Sequence, residues 1–104
     1  MNENVKKSIE SLTNSKLITV EKLLEKINKE AKEEFKKEFY FSHDDLIECS
    51  NEWFATFSFY DYDYYINKCH IEVVEKGERP LQIEYYYVTK QDENECIIED
   101  YYFM

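Results

Sequence analysis

The side chains able to bind metal or activate a nucleophile are few, and their spacing suits neither task. Asp61-x-Asp63 and Asp44-Asp45 offer hard oxygens to a cation. A calcium loop needs further ligands at set spacing and a glycine at its tight turn, and neither accompanies these pairs. The zinc-type donors are His43, Cys49, Cys69, His70 and Cys96. No pair among them has the short gap of a zinc knuckle, so a buried or simply apolar role suits the cysteines better. Cys49 or Cys69 paired with His43 is a Cys-His couple on paper only, because no activated-nucleophile motif surrounds it. Gly77 is the only glycine, which excludes a glycine-rich phosphate loop. Carboxylates are so abundant that no pair of them is informative as an acid–base couple. The expectation is a non-enzyme with no catalytic residue, no metal and no cofactor.

What remains is the chemistry of a surface. Residues 40–104 hold 15 Asp and Glu against 4 Lys and Arg, a balance of −11. Residues 1–39 hold 8 acids and 9 lysines, a balance of +1. All ten tyrosines also follow position 39. Nucleic acid and anionic membrane both repel a chain of net charge −10, and a basic partner attracts it. Acidity that serves only solubility is the plainer alternative.

Four strands are expected to carry this chemistry. From position 51 the apolar period becomes two: Trp53, Ala55, Phe57 and Phe59 alternate with Phe54, Thr56, Ser58 and Tyr60. Asp61-Tyr62-Asp63-Tyr64 reads as a hairpin loop longer than two residues, since it lacks the Asn-Gly signal. In 65–75, Cys69, Ile71 and Val73 share a face opposite Lys68, His70 and Glu72. Lys76-Gly77-Glu78-Arg79-Pro80 is the clearest turn. Leu81, Ile83, Tyr85 and Tyr87 then alternate with Gln82, Glu84, Tyr86 and Val88. A turn over 91–94 leads to a last strand over 96–103, whose facing Ile97 and Ile98 leave open. If Trp53, Phe57, Ile71 and Ile83 face inward, the open face carries Phe54, Tyr60, Lys68, His70, Glu72, Gln82, Glu84 and Tyr86. Glu99 and Tyr101 join it if Ile98 points inward.

Helices must cover the other face. Val5, Ile9 and Leu12 mark one apolar stripe over 3–14. Thr19 suits the N-cap of a second helix over 20–39, with Ile18 and Leu23 as a hydrophobic staple. Val20, Leu23, Leu24, Ile27, Ala31, Phe35 and Phe39 form its apolar face, and Glu25–Lys29 and Glu33–Lys37 support its wet face. Such a helix needs a surface to pack on, and the sheet is the one candidate of sufficient size. Ser42 with Asp45 resembles a capping box, so 43–49 is either a short helix or an edge strand. The expected fold is α+β: two N-terminal helices on one face of a four-stranded antiparallel meander, in a single domain over 1–104, with 40–50 as connector.

A chain of 104 residues with 43% apolar content can bury a core without disulfides or metal. Three cysteines in odd number, a polar N-terminus and no apolar run near the about 20 residues that span a bilayer point to free thiols in the cytoplasm. A single arginine, Arg79, and a dominance of Lys, Glu, Asn, Ile and Tyr fit an AT-rich coding sequence, such as that of a low-GC bacterium or its phage.

Asp61-Tyr62-Asp63-Tyr64-Tyr65, Glu84-Tyr85-Tyr86-Tyr87 and Glu99-Asp100-Tyr101-Tyr102 give residues 40–104 a surface that resembles two groups of small acidic inhibitors. These are the phage-encoded anti-CRISPR proteins and the immunity proteins that neutralise nuclease toxins. Neither group has one fold or motif, so the resemblance transfers no residue role by position. It implies a non-enzymatic inhibitor that occupies a basic nucleic-acid-binding groove of a nuclease or nucleoprotein effector. Same-face strand positions repeat about every 6.6 Å, near the spacing of successive phosphates on a strand. The expected contacts are Asp61, Tyr62, Asp63, Glu84, Tyr86, Glu99, Asp100 and Tyr101. A toxin-immunity role is one alternative. Another, from a different class, is a structural module that forms a homodimer through Phe54, Tyr60 and Tyr86.

Overall fold

The first helix and the second lie on opposite faces of the sheet, and a three-residue strand between them is the reason. In the computed structural model, which describes residues 1–92 and 95–104, α1 spans Glu3–Thr13 and β1 spans Lys16–Ile18. The helix α2 spans Val20–Phe35, and a short α3 spans His43–Glu48. The remaining strands are β2 (Ser50–Phe59), β3 (Tyr62–Val73), β4 (Leu81–Gln91) and β5 (Cys96–Phe103). They form a five-stranded sheet in the order β1-β5-β4-β3-β2, with every pairing antiparallel. The α+β class is as expected, and the meander β2 to β5 is present. The sheet has a fifth strand, however, because Leu17 and Ile18 do more than lead into a helix cap.

Alternation along β1 distributes the core. Leu17 pairs with Tyr102 and packs with Val5 and Ile9 of α1. Ile18 pairs with Tyr101 and packs with Leu23 and Ile27 of α2. The chain thus crosses the sheet edge at β1, and each helix buries its stripe on its own face. One core holds Leu23, Ile27, Ala31, Leu46, Cys69, Ile71, Val73, Ile83, Tyr85 and Tyr101. The other holds Val5, Ile9, Tyr64, Ile66, Tyr86, Val88 and Tyr102. This corrects the expectation of two helices on one face. It also removes Leu12 from the α1 stripe: Leu12 is 50% exposed, and Thr13 is the buried residue of that turn.

The helix ends follow local chemistry. Asn2 caps α1 by accepting the Asn4 N–H at 2.7 Å, and Asn14 closes it in the left-handed region. Thr19 caps α2 by accepting the Lys22 N–H. The end of α2 comes earlier than the apolar period implies, because Lys36 turns left-handed (φ 56) and its N–H returns to the Lys32 carbonyl. Phe39 still reaches the core, tilted against Phe35 and stacked on Phe41. The capping box of Ser42 and Asp45 forms, which settles 43–48 as helix.

Two β-bulges set which side chains share a face. The first lies between Trp53 and Ala55. It places Phe54 against Tyr86, with ring centroids 5.0 Å apart, on the same face as Ala55, Phe57 and Phe59. Trp53 therefore faces away from Phe57, contrary to simple alternation. The second bulge falls at Glu99, between the pairs Val88–Asp100 and Thr89–Ile98. It sends Ile98 and Tyr101 to the α2 face together and Asp100 and Tyr102 to the α1 face. The first hairpin is also tighter than expected: Phe59 pairs with Tyr62, so its loop is Tyr60-Asp61 alone. The expected turn over 91–94 includes Glu93 and Asn94, which lie outside the described residues. Next to them, the Asp92 N–H donates to the Glu95 carbonyl at 2.9 Å.

Candidate partner-binding surface

The eight expected contacts divide into three groups. Tyr86 and Tyr101 are 5% and 4% exposed, so neither can touch a partner as the chain stands. Tyr86 lies in the α1-side core against Phe54. Tyr101 lies beneath α2 and α3, and its hydroxyl meets His43 Nε2 at 2.8 Å. Burial holds the Tyr101 phenol up at about 12, with the nearby Cys69 and Cys49 thiols adding to the rise. The expectation that these two rings stand on an open face is corrected. The Glu99 bulge explains Tyr101; α1, packed on the face expected to be open, explains Tyr86.

Glu84 forms the second group, alone. It is exposed and pairs across β3–β4 with His70. Together with Glu52, Asn51, Lys68 and Cys69 these residues line a cavity of about 200 Å³. Beyond it, Asp45, Glu48 and Glu72 border a larger one with Phe41, Cys49, His70 and Ile71. The smaller cavity is the part of the α1-side face that α1 does not reach, whereas the larger lies beside α3, against Phe41, Cys49 and Ile71 of the α2-side core. The acids here alternate with Lys68 and His70, which tempers their charge.

Of the third group, Asp61, Tyr62, Asp63 and Glu99 lie toward the opposite end, around the β2–β3 hairpin, and Asp100 lies further along β5, opposite Val88. Tyr62 and Glu99 line one cavity of about 290 Å³ with Met1, Asn2, Phe59, Tyr60, Tyr64 and Lys90. Asp61 sits in the turn between Tyr60 and Tyr62 and is exposed. Asp63 is exposed on the other face, where Ser58 Oγ donates to its carboxylate. Asp100, half-buried, follows Glu99 on the α1 face. Its carboxyl is pushed up by burial, against the opposing pull of Lys6 and the N-terminal amine. Stacking of Phe57 on Tyr64, with centroids 5.2 Å apart, stiffens the floor of this region.

Six residues of this cavity escaped the expected contact set: Met1, Asn2, Phe59, Tyr60, Tyr64 and Lys90. A signal for Lys90 was available, since it is the only basic residue after Arg79. Phe59, Tyr60 and Tyr64 needed the two-residue turn, which folds positions 59 to 64 back on themselves, and Met1 and Asn2 needed the placement of α1 on this face.

Elsewhere the buried polar chemistry is satisfied internally. The Tyr85 hydroxyl donates to the Leu46 carbonyl and lies 2.9 Å from Cys49 Sγ. Burial raises both Tyr85 and Cys69, so neither ionises at neutral pH. The three cysteines are free thiols. Among the described residues, no three of His, Cys, Asp and Glu are gathered for a metal ion, and no helix is long and apolar enough to cross a membrane.

Comparison with known proteins yields no match: no family model, no curated protein and no solved structure is similar to this chain.

Proposed function

We propose that the chain is a non-enzymatic inhibitor, acting without a cofactor, that offers its acidic and phenol-rich hairpin end to a basic nucleic-acid-binding groove. The target is a nuclease or nucleoprotein effector. A CRISPR effector would make the chain an anti-CRISPR-like protein, and a single cognate toxin would make it an immunity protein. In either role it works in the cytoplasm of a bacterial host and excludes nucleic acid by charge mimicry. The observation that carries this reading is the meeting of Glu99 with the exposed Tyr60 and Tyr62 in one cavity at the hairpin end of the sheet, with the exposed Asp61 in the turn between those two rings. The segment that supplies them has a balance of −11. Tyrosine contributes contact area at low rotamer entropy, and carboxylates add long-range attraction to a cationic cleft.

The contact set is accordingly Tyr60, Asp61, Tyr62, Asp63, Glu99 and Asp100, with Glu84 at the far end as a separate acidic patch. The test is substrate cleavage by a panel of nucleases and CRISPR effectors, with and without the chain. Inhibition of one of them should weaken steeply as salt rises and should fall at least tenfold on Asp61→Lys with Asp63→Lys. Inhibition that is indifferent to salt rules out charge mimicry.

Self-association is a second reading, favoured by the outer edge of β2. This strand pairs with β3 and, among the described residues, with no other strand. It carries a single charge, Glu52, and Trp53 on it is 65% exposed. Its bulge is the one device that blunts an edge so open to pairing. Light scattering over a wide concentration range decides the matter: a monomer at every concentration excludes it.

A further inference from the structure

One ammonium group already lies on the aromatic wall of the hairpin-end cavity. Lys90 Nζ stands 3.8 Å from the centroid of the Tyr62 ring. That is well inside the about 6 Å over which a ring face attracts a cation. Phe59, Tyr60 and Tyr64 complete the aromatic lining, and Glu99 supplies a carboxylate. At about 290 Å³ the space is at the small end for ligand pockets. It suits one side chain better than a drug-sized molecule.

The backbone gives an independent indication. Tyr60 sits in the left-handed region, with φ 55, in the two-residue turn between β2 and β3. Asn, Asp or Gly is the usual residue there, because a Cβ meets the following carbonyl. Tyr60 is nonetheless 87% exposed, and its ring stands edge-on to Phe59 at 4.6 Å. Core packing thus gives little in return for the strained conformation. Strained residues of this kind concentrate at ligand clamps and binding sites.

The geometry points to a cation-recognition pocket that takes the ammonium or guanidinium head of a lysine or arginine side chain from the partner, with Lys90 as a resident stand-in that the incoming cation displaces. This rests on the reading of the chain as a binder of basic surfaces and adds the side-chain class that enters. The Tyr62 ring face and the Glu99 carboxylate favour positive charge; Lys90 and Met1, which bears the N-terminal amine, also line the space and oppose it, so an incoming cation binds only as Lys90 leaves the ring. Lys90 is tethered through β4, so its departure from Tyr62 leaves its ammonium in solvent.

The probe is N-acetyl-trimethyllysine methylamide, with N-acetyl-arginine methylamide beside it. The control is the neutral isostere with carbon in place of the quaternary nitrogen. Nuclear magnetic resonance follows the Tyr60, Tyr62 and Lys90 signals during titration of the full chain. Saturable shifts confined to those residues are expected, with the isostere about fivefold weaker. Lys90→Met vacates the ring face while keeping the stem, and probe affinity should rise about fivefold. Tyr62→Leu should abolish the response. Absence of saturable shifts in Lys90→Met, or an equal response to the isostere, overturns the proposal. No partner protein enters this experiment. Probe binding without any nuclease inhibition would refute the inhibitor reading alone. Inhibition that survives Tyr62→Leu, with no probe binding, would refute the pocket alone.

Discussion

Raising the pH should destabilise this chain through three buried phenols. Tyr85, Tyr101 and Tyr102 are all nearly or fully shielded from solvent. Burial is the first cause of the upward shift in each. The second cause is the Cys49 hydrogen bond for Tyr85, the Cys69 thiol for Tyr101 and the Asp100 carboxylate for Tyr102. Their ordinary value is 10.0. A folded-state value above the unfolded one means that the unfolded chain holds fewer protons once pH exceeds about 10, so stability falls as pH rises. By pH 11 each such phenol removes about 1.4 kcal/mol, and the three together remove about 4 kcal/mol. A domain of this size has a total stability of about 5–15 kcal/mol, so the loss is large. Urea unfolding by circular dichroism at pH 8 and pH 11, with tyrosinate absorbance recorded in parallel, measures it. Growing self-repulsion of an acidic chain also destabilises at high pH, and one variant isolates the contribution of a buried phenol. Tyr102→Phe should shrink the difference between the two pH values by about 1.4 kcal/mol. Equal urea midpoints at pH 8 and pH 11, or all ten phenols ionised in a folded chain, would refute the reasoning.

Other outcomes follow from the packing. Ile9→Ala should destabilise by about 2–5 kcal/mol, because Ile9 is fully buried under the sheet, whereas Leu12→Ala should stay within about 0.5 kcal/mol; chemical denaturation checks both, and the reverse order would place α1 wrongly. Lys36→Gly relieves a left-handed non-glycine cap and should raise stability by about 1 kcal/mol, read from the thermal midpoint. Tyr85→Phe leaves the Leu46 carbonyl and the Cys49 thiol without their phenol partner and should cost about 1–3 kcal/mol. Tyr60→Asn suits the turn conformation and should leave stability unchanged or higher while weakening the probe response at the hairpin-end pocket.

The strand positions, the capping residues Thr19 and Ser42, and the Gly77-Pro80 turn region were legible because each rests on local chemistry. Faces were not, because alternation assumes an unbroken ladder. A single extra residue at Phe54 and another at Glu99 reversed the side of everything on one flank of each bulge, and nothing in the residue types marks either site. The short β1 is hidden in the sequence, since three residues carry too little periodicity to register as a strand and Leu17 and Ile18 equally suit a lead-in to Thr19. Helix α2 ran on to Phe39 in the sequence because a left-handed turn at Lys36 returns Phe39 to the same core. Tyrosine caused the largest error in the site. Its amphipathic ring suits a wet face or a core with a partner for its hydroxyl. Tyr101 has His43, and Tyr102 has the Met1 sulfur at 3.9 Å. Such partners are distant in sequence and visible only after folding.

The most direct test of the inhibitor account is competition on one nuclease or CRISPR effector that the chain arrests. Nucleic-acid occupancy of that effector is measured while the wild-type chain, or its Asp61→Lys, Asp63→Lys variant, is added at low and high salt. Displacement by the wild-type chain that weakens with salt and is lost in the variant is the expected result. An effector that keeps its nucleic acid while arrested, or a variant that displaces it as well as the wild type does, would contradict it.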